Sequence, residues 1–181
     1  KKDKEYTPNY PNELVIENIK RHQAFTALIG LRWQPGARYV ELPDRKFSIG
    51  SKYPVFSLQY IRGIEGFLGS DASFSKWKFN ISDEVSLKLR GQLRYRIGLG
   101  GFFNRNKVDL PDYDHFNGNI STLATEYLNS FQLLPVYQFS NTAKFHSLAH
   151  IEYNLKGFLT NKLPLIKKLN LYLVTGTNAF Y

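Results

Sequence analysis

V-S-L-K-L-R-G-Q-L-R-Y-R-I-G-L-G-G-F-F, residues Val85 to Phe103, is the stretch whose reading decides the fold class. Val85, Leu87, Leu89, Gly91, Leu93, Tyr95, Ile97 and Leu99 are apolar or small, whereas Ser86, Lys88, Arg90, Gln92, Arg94, Arg96 and Gly98 are polar, cationic or small. Successive side chains of a strand point to opposite faces, so this pattern predicts one long strand with a greasy face and a basic face. Strands of soluble proteins usually stop after ~5–6 residues. A strand crossing a bilayer needs ~9–11 tilted residues, apolar towards lipid and polar towards a lumen. Val85 to Leu99 exceeds that length without losing phase, which makes a transmembrane β-barrel the first expectation.

Composition fits it. Aromatic residues make up 15% of the 181-residue chain, with 12 Tyr, 14 Phe and 2 Trp, a share that suits strands and interfacial girdles. Hydrophobic residues reach only 43%, and no run approaches the ~18 apolar residues of a membrane helix. The formal charge of +9 raises nucleic-acid binding, but many Lys and Arg residues alternate with apolar ones along strands instead of forming a patch. With no Cys, disulfides, thiolate metal sites and Cys nucleophiles are excluded.

Outward from the central stretch, Phe74 to Ser82 alternates Trp77, Phe79 and Ile81 with Lys76, Lys78 and Asn80. Ser82-Asp83-Glu84 reads as the tight turn that makes these two segments a hairpin. Phe25 to Trp33 and Val55 to Ile64 alternate likewise, Lys46–Ile49 is a short strand, and Pro35-Gly36 and Pro43-Asp44 read as turns. Asn104 to Thr122 is a long polar loop. Tyr127 to Phe139 is a strand, Ser140-Asn141-Thr142 a turn, and Lys144 to Phe158 a strand that puts His146, His150 and Glu152 on one face. The last strand starts at Leu169 to Leu173 and runs towards Tyr181. The prediction is an all-β, antiparallel up-and-down meander of roughly eight strands, forming a transmembrane β-barrel or part of one. Residues 1–12 form a linker or extended arm, and residues 13–181 a barrel segment.

Catalytic constellations are weak. His146 and His150 share a strand face but stand ~13 Å apart at ~3.3 Å per residue, too far for one metal. Asp109, Asp112, Asp114 and His115 raise calcium or acid–base chemistry, but the Gly and terminal Glu of an EF-hand loop are missing. Acidic loop residues are more often solvated turn formers. Gly98 to Gly101 is not a phosphate loop, and no nucleophile elbow stands out. The expectation is therefore no catalytic residue, no metal, no cofactor and no enzyme. Lys88, Arg90, Arg94 and Arg96 form a row of cations that repels itself unless acidic groups or water face it. In a lumen they would meet acids on other strands or on a plug, or would form an anion-attracting wall. Leu87, Leu89, Leu93, Tyr95, Ile97 and Leu99 are the matching lipid-facing set.

H-F-N-G-N (His115 to Asn119), F-Q-L-L-P-V-Y-Q-F-S (Phe131 to Ser140), H-I-E-Y-N-L-K-G-F-L-T-N-K-L-P-L-I-K-K-L (His150 to Leu169) and V-T-G-T-N-A-F-Y at the end of the chain carry a resemblance. The chain resembles the C-terminal part of large outer-membrane proteins of Bacteroidota. These have an N-terminal carboxypeptidase-regulatory-like domain followed by a domain of unknown function, itself similar to the BamA/TamA surface-antigen barrels. The resemblance implies an address in the outer membrane of a Gram-negative bacterium, a barrel of more strands than this chain supplies, of which residues 13–181 would be a fragment, and a structural, transport or assembly role without catalysis. It implies outer-membrane lipid and other outer-membrane or periplasmic proteins as partners, with no nucleic acid. The alternatives are a soluble β-barrel or sandwich that binds a lipid or other apolar ligand, and a basic nucleic-acid-binding β-domain.

Overall fold

The computed structural model describes residues 22–119, 128–132, 134–135, 139–158, 160–162, 168 and 171–181. Ten strands are present among them: β1 (Thr26–Trp33), β2 (Arg38–Leu42), β3 (Arg45–Gly50), β4 (Val55–Gly63), β5 (Ser73–Ser86), β6 (Gln92–Lys107), β7 (Gly118–Asn119), β8 (Phe131–Gln132), β9 (His146–Asn154) and β10 (Val174–Phe180). Six of them form one antiparallel sheet in the order β1-β4-β5-β6-β9-β10, so neighbours in the sheet follow one another along the chain. The β2–β3 hairpin is inserted between β1 and β4, and β7 and β8 form a two-residue parallel pair. Among the described residues the sheet is open: β1 pairs only with β4, and β10 only with β9. The expected arm, residues 1–12, lies outside the described residues, and so do five of the thirteen residues of the expected strand Tyr127–Phe139. Of the eight that are described, only Phe131 and Gln132 are strand, because residues 128–130 turn and residues 134, 135 and 139 pair with no strand. Of that strand the structure contains the short β8.

The central stretch needs a correction. It is two elements, because the chain turns between Leu87 and Gly91 through a 3-10 turn at Lys88–Arg90. Leu87 N–H donates to Gly91 C=O at 2.8 Å and Arg90 N–H to Leu87 C=O at 3.1 Å, closing the turn. Lys88 and Gly91 have φ of +56° and +112°. A Cβ on Gly91 would lie 2.1 Å from the Asn154 carbonyl oxygen, so this position needs a residue without one. Alternation conceals the turn, since Leu87, Leu89 and Gly91 stay in phase with the strands on either side.

The expected turn at Ser82–Glu84 is strand. Ser82, Asp83 and Glu84 pair with Arg96, Tyr95 and Arg94, and β5 continues to Ser86. Consequently Lys88 and Arg90 are in the turn and not in a strand row of cations. Leu87 and Leu89 leave the expected lipid-facing row too, and Leu89 is 90% exposed at the tip.

Registry sorts the sheet into two faces. One carries Ile29, Leu31 and Trp33 of β1, Phe56, Leu58 and Tyr60 of β4, Trp77, Phe79 and Ile81 of β5, Leu93, Tyr95, Ile97 and Leu99 of β6, and Ala149, Ile151 and Tyr153 of β9. Its charged strand residues, Arg62, Lys107 and Asp83, lie towards the two ends. The other face carries Gln59, Lys76, Lys78, Asn80, Glu84, Arg94, Arg96, His146, His150, Glu152 and Asn178.

Burial is inverted relative to a water-soluble fold. Ile29, Leu31, Leu58 and Ile97 are exposed, while Lys76, Asp112, Asp114, His146, His150 and Glu152 are buried. Described residues of the segment between β6 and β9 lie against the polar face: Asp112 and Asp114 meet Lys76, Phe116 meets His146 and Phe131 meets His150. The few buried apolar residues, Ala72, Phe74, Phe102, Phe116 and Phe131, lie beneath or among these covering residues.

Two register shifts in the β5–β6 pair, at Ser73/Phe74 and Ser75/Lys76, leave Asn106 and Phe103 as extra residues on β6. Phe102, still in regular register with Lys76, packs with Phe74 in the buried cluster and Phe103 is exposed on the opposite face, so it is beyond Phe102 that the shifts change which face a residue meets. Arg105 is thereby brought opposite Phe74, and its guanidinium donates to the Thr142 carbonyl at 2.8 Å.

Replacing Gly91 with Val forces a β-branched residue into positive φ against the Asn154 carbonyl. Backbone strain alone costs of order 1–3 kcal/mol. The expected result is a lower folded fraction in a denaturant titration of the detergent-solubilised chain, with Leu89→Ala at the same turn unchanged.

Candidate functional site

The polar face and its cover meet at Asp114. Lys76 and Lys78 are two apart on β5 and share a face, which brings two ammonium groups together under the β6–β9 segment. Asp114 Oδ1 stands 3.2 Å from Lys76 Nζ and 2.7 Å from Lys78 Nζ. Lys76 also donates to the Asp112 carbonyl at 2.7 Å, and its ammonium lies 5.2 Å from the Phe102 ring centre and 5.5 Å from that of Phe74. The Asp114 side chain is only 3% exposed. At that depth a lone carboxylate would be costly, and the two lysine ammonium groups supply the compensation.

Backbone bonds fix the aspartate. Asp114 N–H donates to the Asn141 carbonyl and Asn141 N–H to the Asp114 carbonyl, each at 3.0 Å, in an isolated β-bridge. His146 of β9 completes the group, with Nδ1 3.9 Å from Asp114 Oδ2. Gly100 on β6 makes room for it: a Cβ there would fall 2.6 Å from His146 Nε2.

Aromatic rings continue the cover. Phe116 meets His146 edge-on at 5.5 Å, Phe131 lies 4.5 Å from the His150 ring, and both contact Phe180 of β10 at 5.2 Å. A cleft of ≈ 330 Å³ remains between cover and sheet, lined by Lys78, Arg96, Asp114, His146, His150 and Asn129 among others. A cleft of ≈ 430 Å³ at the rim, beside Arg62, Glu65 and Asn104, brings no comparable cluster together.

Of the four expected cations, Arg94 and Arg96 are on the polar face of β6. Arg94 pairs with Glu152 on the adjacent β9, Nε to Oε1 at 3.0 Å, and Arg96 hydrogen-bonds Asn129 of the cover. Leu93, Tyr95, Ile97 and Leu99 share the opposite face of β6. The two histidines have separate neighbours: His146 faces Asp114, and His150 Nδ1 is 2.8 Å from Asn178 Oδ1 on β10.

The loop acids divide as well. Asp114 joins the lysines and His115 meets Ser140 Oγ at 2.7 Å, whereas Asp109 and Asp112 meet His22 at the rim. Sequence reasoning passed over Lys76, Lys78 and His22 as site residues. Alternation had placed Lys76 and Lys78 on one face, but nothing local identifies an aspartate about 36 residues away as their partner.

Residues 1–181 match the family described as Family of unknown function (DUF5686) C-terminal domain. The chain belongs to that family. No curated protein and no solved structure matches. The resemblance seen in the sequence thus stands at the level of a β-rich domain of unknown function.

Asp114→Ala leaves Lys76 buried without its carboxylate, a loss of about 3–5 kcal/mol for a broken buried pair. Glu65→Ala removes the exposed partner of Lys107 and should leave stability nearly unchanged, since water and salt screen that pair. Denaturant titration and limited proteolysis of the β6–β9 segment will show that contrast.

Burial first, and then the neighbouring Lys76 charge, lowers the His115 pKa; Asp114 opposes the shift and Lys78 reinforces it. The unfolded imidazole takes a proton near pH ~6.5 and the folded one only lower, so this residue's contribution to stability rises with pH through that window. Acidification from pH 7.5 to 5 should increase proteolysis of the cover, and His115→Asn should flatten that dependence.

Proposed function

We propose that this domain is part of the wall of an outer-membrane β-barrel, with the segment between β6 and β9 folded inward as a plug. The observation that carries the reading is the inverted burial. An apolar face spanning several strands is exposed, while Lys76, Asp114, His146, His150 and Glu152 are buried on the other face. Isolated exposed apolar residues are ordinary, but a continuous sheet face of them requires an apolar environment.

A bilayer supplies that environment, and strand length suits it. β5 and β6 contain 14 and 16 residues against a requirement of ~9–11. Aromatic rings add support. Tyr60, Trp77 and Phe103 cluster towards one end of the apolar face, while Tyr95 and Tyr153 lie nearer the other, the distribution of interfacial girdles. Charged groups on this face keep to the strand ends.

In hydrocarbon every backbone polar group needs a partner, so the reading requires the open edges at β1 and β10 to pair with further strands. The role is structural, in transport or in outer-membrane assembly, without catalysis; the partners are outer-membrane lipid and other outer-membrane or periplasmic proteins. The plug arrangement favours a closed wall over an anion-conducting one, because Lys76, Lys78 and Arg94 are each engaged by a carboxylate.

Ile97, in the middle of the apolar face, should resist charge. Ile97→Arg is expected to cost ~2–4 kcal/mol if the position lies near the bilayer midplane. Folding into phosphatidylcholine vesicles, followed by carbonate extraction, is the measurement, with Gln59→Arg on the polar face as comparison. A wild-type chain released by carbonate without detergent, or an Ile97→Arg variant that inserts normally, would sink the membrane reading and favour a soluble lipid-binding sheet.

A further inference from the structure

We propose that His22, Asp71 and Asp109 form a binding site for a divalent transition-metal ion of the zinc class at the rim of the sheet. The three residues come from separate parts of the chain. His22 precedes β1, Asp71 is in the β4–β5 connection, and Asp109 is in the segment that leaves β6. His22 Nδ1 lies 2.9 Å from Asp71 Oδ1 and 3.0 Å from Asp109 Oδ2, and the three ligand atoms fall within 4.8 Å of one another. Ligands around one zinc ion, each at ~2.0–2.2 Å, stand about 3–3.5 Å apart.

The proton inventory of His22 separates a metal site from an ordinary histidine–aspartate contact. Its other nitrogen, Nε2, is 2.8 Å from Asp112 Oδ2, and the Asp112 side chain is 8% exposed. With Nε2–H as the donor, the carboxylate there accepts its hydrogen bond, as the outer partner of a metal-bound histidine does, and Nδ1 keeps a lone pair. That lone pair faces two carboxylate oxygens, an arrangement that repels unless a cation lies between them. Nδ1 is buried and, although both oxygens are within reach, neither is positioned for a hydrogen bond from it. Oxygens displaced to the sides of the Nδ1 axis suit two ligands flanking an ion on that axis.

Asp71 is held in place by its surroundings. The Gln23 N–H donates to its Oδ1 at 3.1 Å, and its own N–H donates to the Gln23 carbonyl at 2.9 Å. One imidazole with two carboxylates favours a borderline ion such as Zn²⁺ over Ca²⁺, whose sites are built from oxygen. The expectation of no metal weighed the missing Cys, the His146–His150 pair and the spacing within the Asp109–His115 loop, and two of these three ligands, His22 and Asp71, lie outside all of those. The site's consequence is mechanical: an ion here would join the approach to β1, the β4–β5 connection and the root of the plug.

The test uses the full chain folded in detergent, stripped with chelator and titrated with ZnCl₂ by calorimetry, with metal content measured after desalting. One equivalent of Zn²⁺ is expected, with affinity at least ~10-fold weaker in Asp71→Asn and in Asp109→Asn, and ~10–100-fold weaker in the outer-partner variant Asp112→Asn. Bound Zn²⁺ should slow proteolysis of the plug, and CaCl₂ should not replace it. The alternative is a His22 imidazolium held by three carboxylates with no ion. Absence of stoichiometric Zn²⁺, Asp variants that bind like wild type, or ¹⁵N spectra showing both His22 ring nitrogens protonated in the presence of Zn²⁺ would overturn the proposal. These readouts do not depend on the membrane reading.

Discussion

A carboxylate that meets two lysines holds this domain in its observed form. Asp114 lies against Lys76 and Lys78 almost out of reach of water, and through it the β6–β9 segment is drawn onto the polar side of the sheet. Without that charge the lysines would face each other beneath a ceiling of phenylalanines. With it, the polar face becomes the buried one. Phe116, Phe131 and Phe180 then pack over histidines instead of over aliphatic side chains.

Among the described residues, this organisation leaves the apolar face uncovered. A soluble sheet would fold its connecting segment over Ile29, Leu58 and Ile97 and leave Lys78 and Arg94 to water. Here the segment goes to the opposite side. Neutralisation of the basic face comes largely from within the chain, by Glu152 on a neighbouring strand and Asp114 in the cover. The covering residues are also tied to the rim of the sheet, where Asp109 and Asp112 meet His22 beside Asp71.

Much of the strand architecture was legible because a strand's period of two is written directly in residue order. Trp77, Phe79 and Ile81 against Lys76, Lys78 and Asn80 is one example; Ala149 and Ile151 against His150 and Glu152 is another. The turn was misread for a related reason. Leu87 and Leu89 keep the alternation while the chain reverses, and the polar triplet Ser82-Asp83-Glu84 resembles a turn while remaining in register with β6. Period alone cannot distinguish a continuing strand from an in-phase reversal. The decisive constraint was at Gly91, whose neighbour is the Asn154 carbonyl of a strand about 60 residues later.

The sequence by itself determined that the chain is β-rich, that its strands have one greasy and one polar face, and that Arg94 and Arg96 belong together on the polar side. These properties depend on residues two apart and need no knowledge of distant partners. Only the tertiary structure decided which face is covered, that Asp114 serves Lys76 and Lys78, and that His22 joins Asp71, Asp109 and Asp112. Those are choices between charges tens of residues apart, and they are made by which segments the sheet brings within a few ångströms, a distance that residue order does not encode.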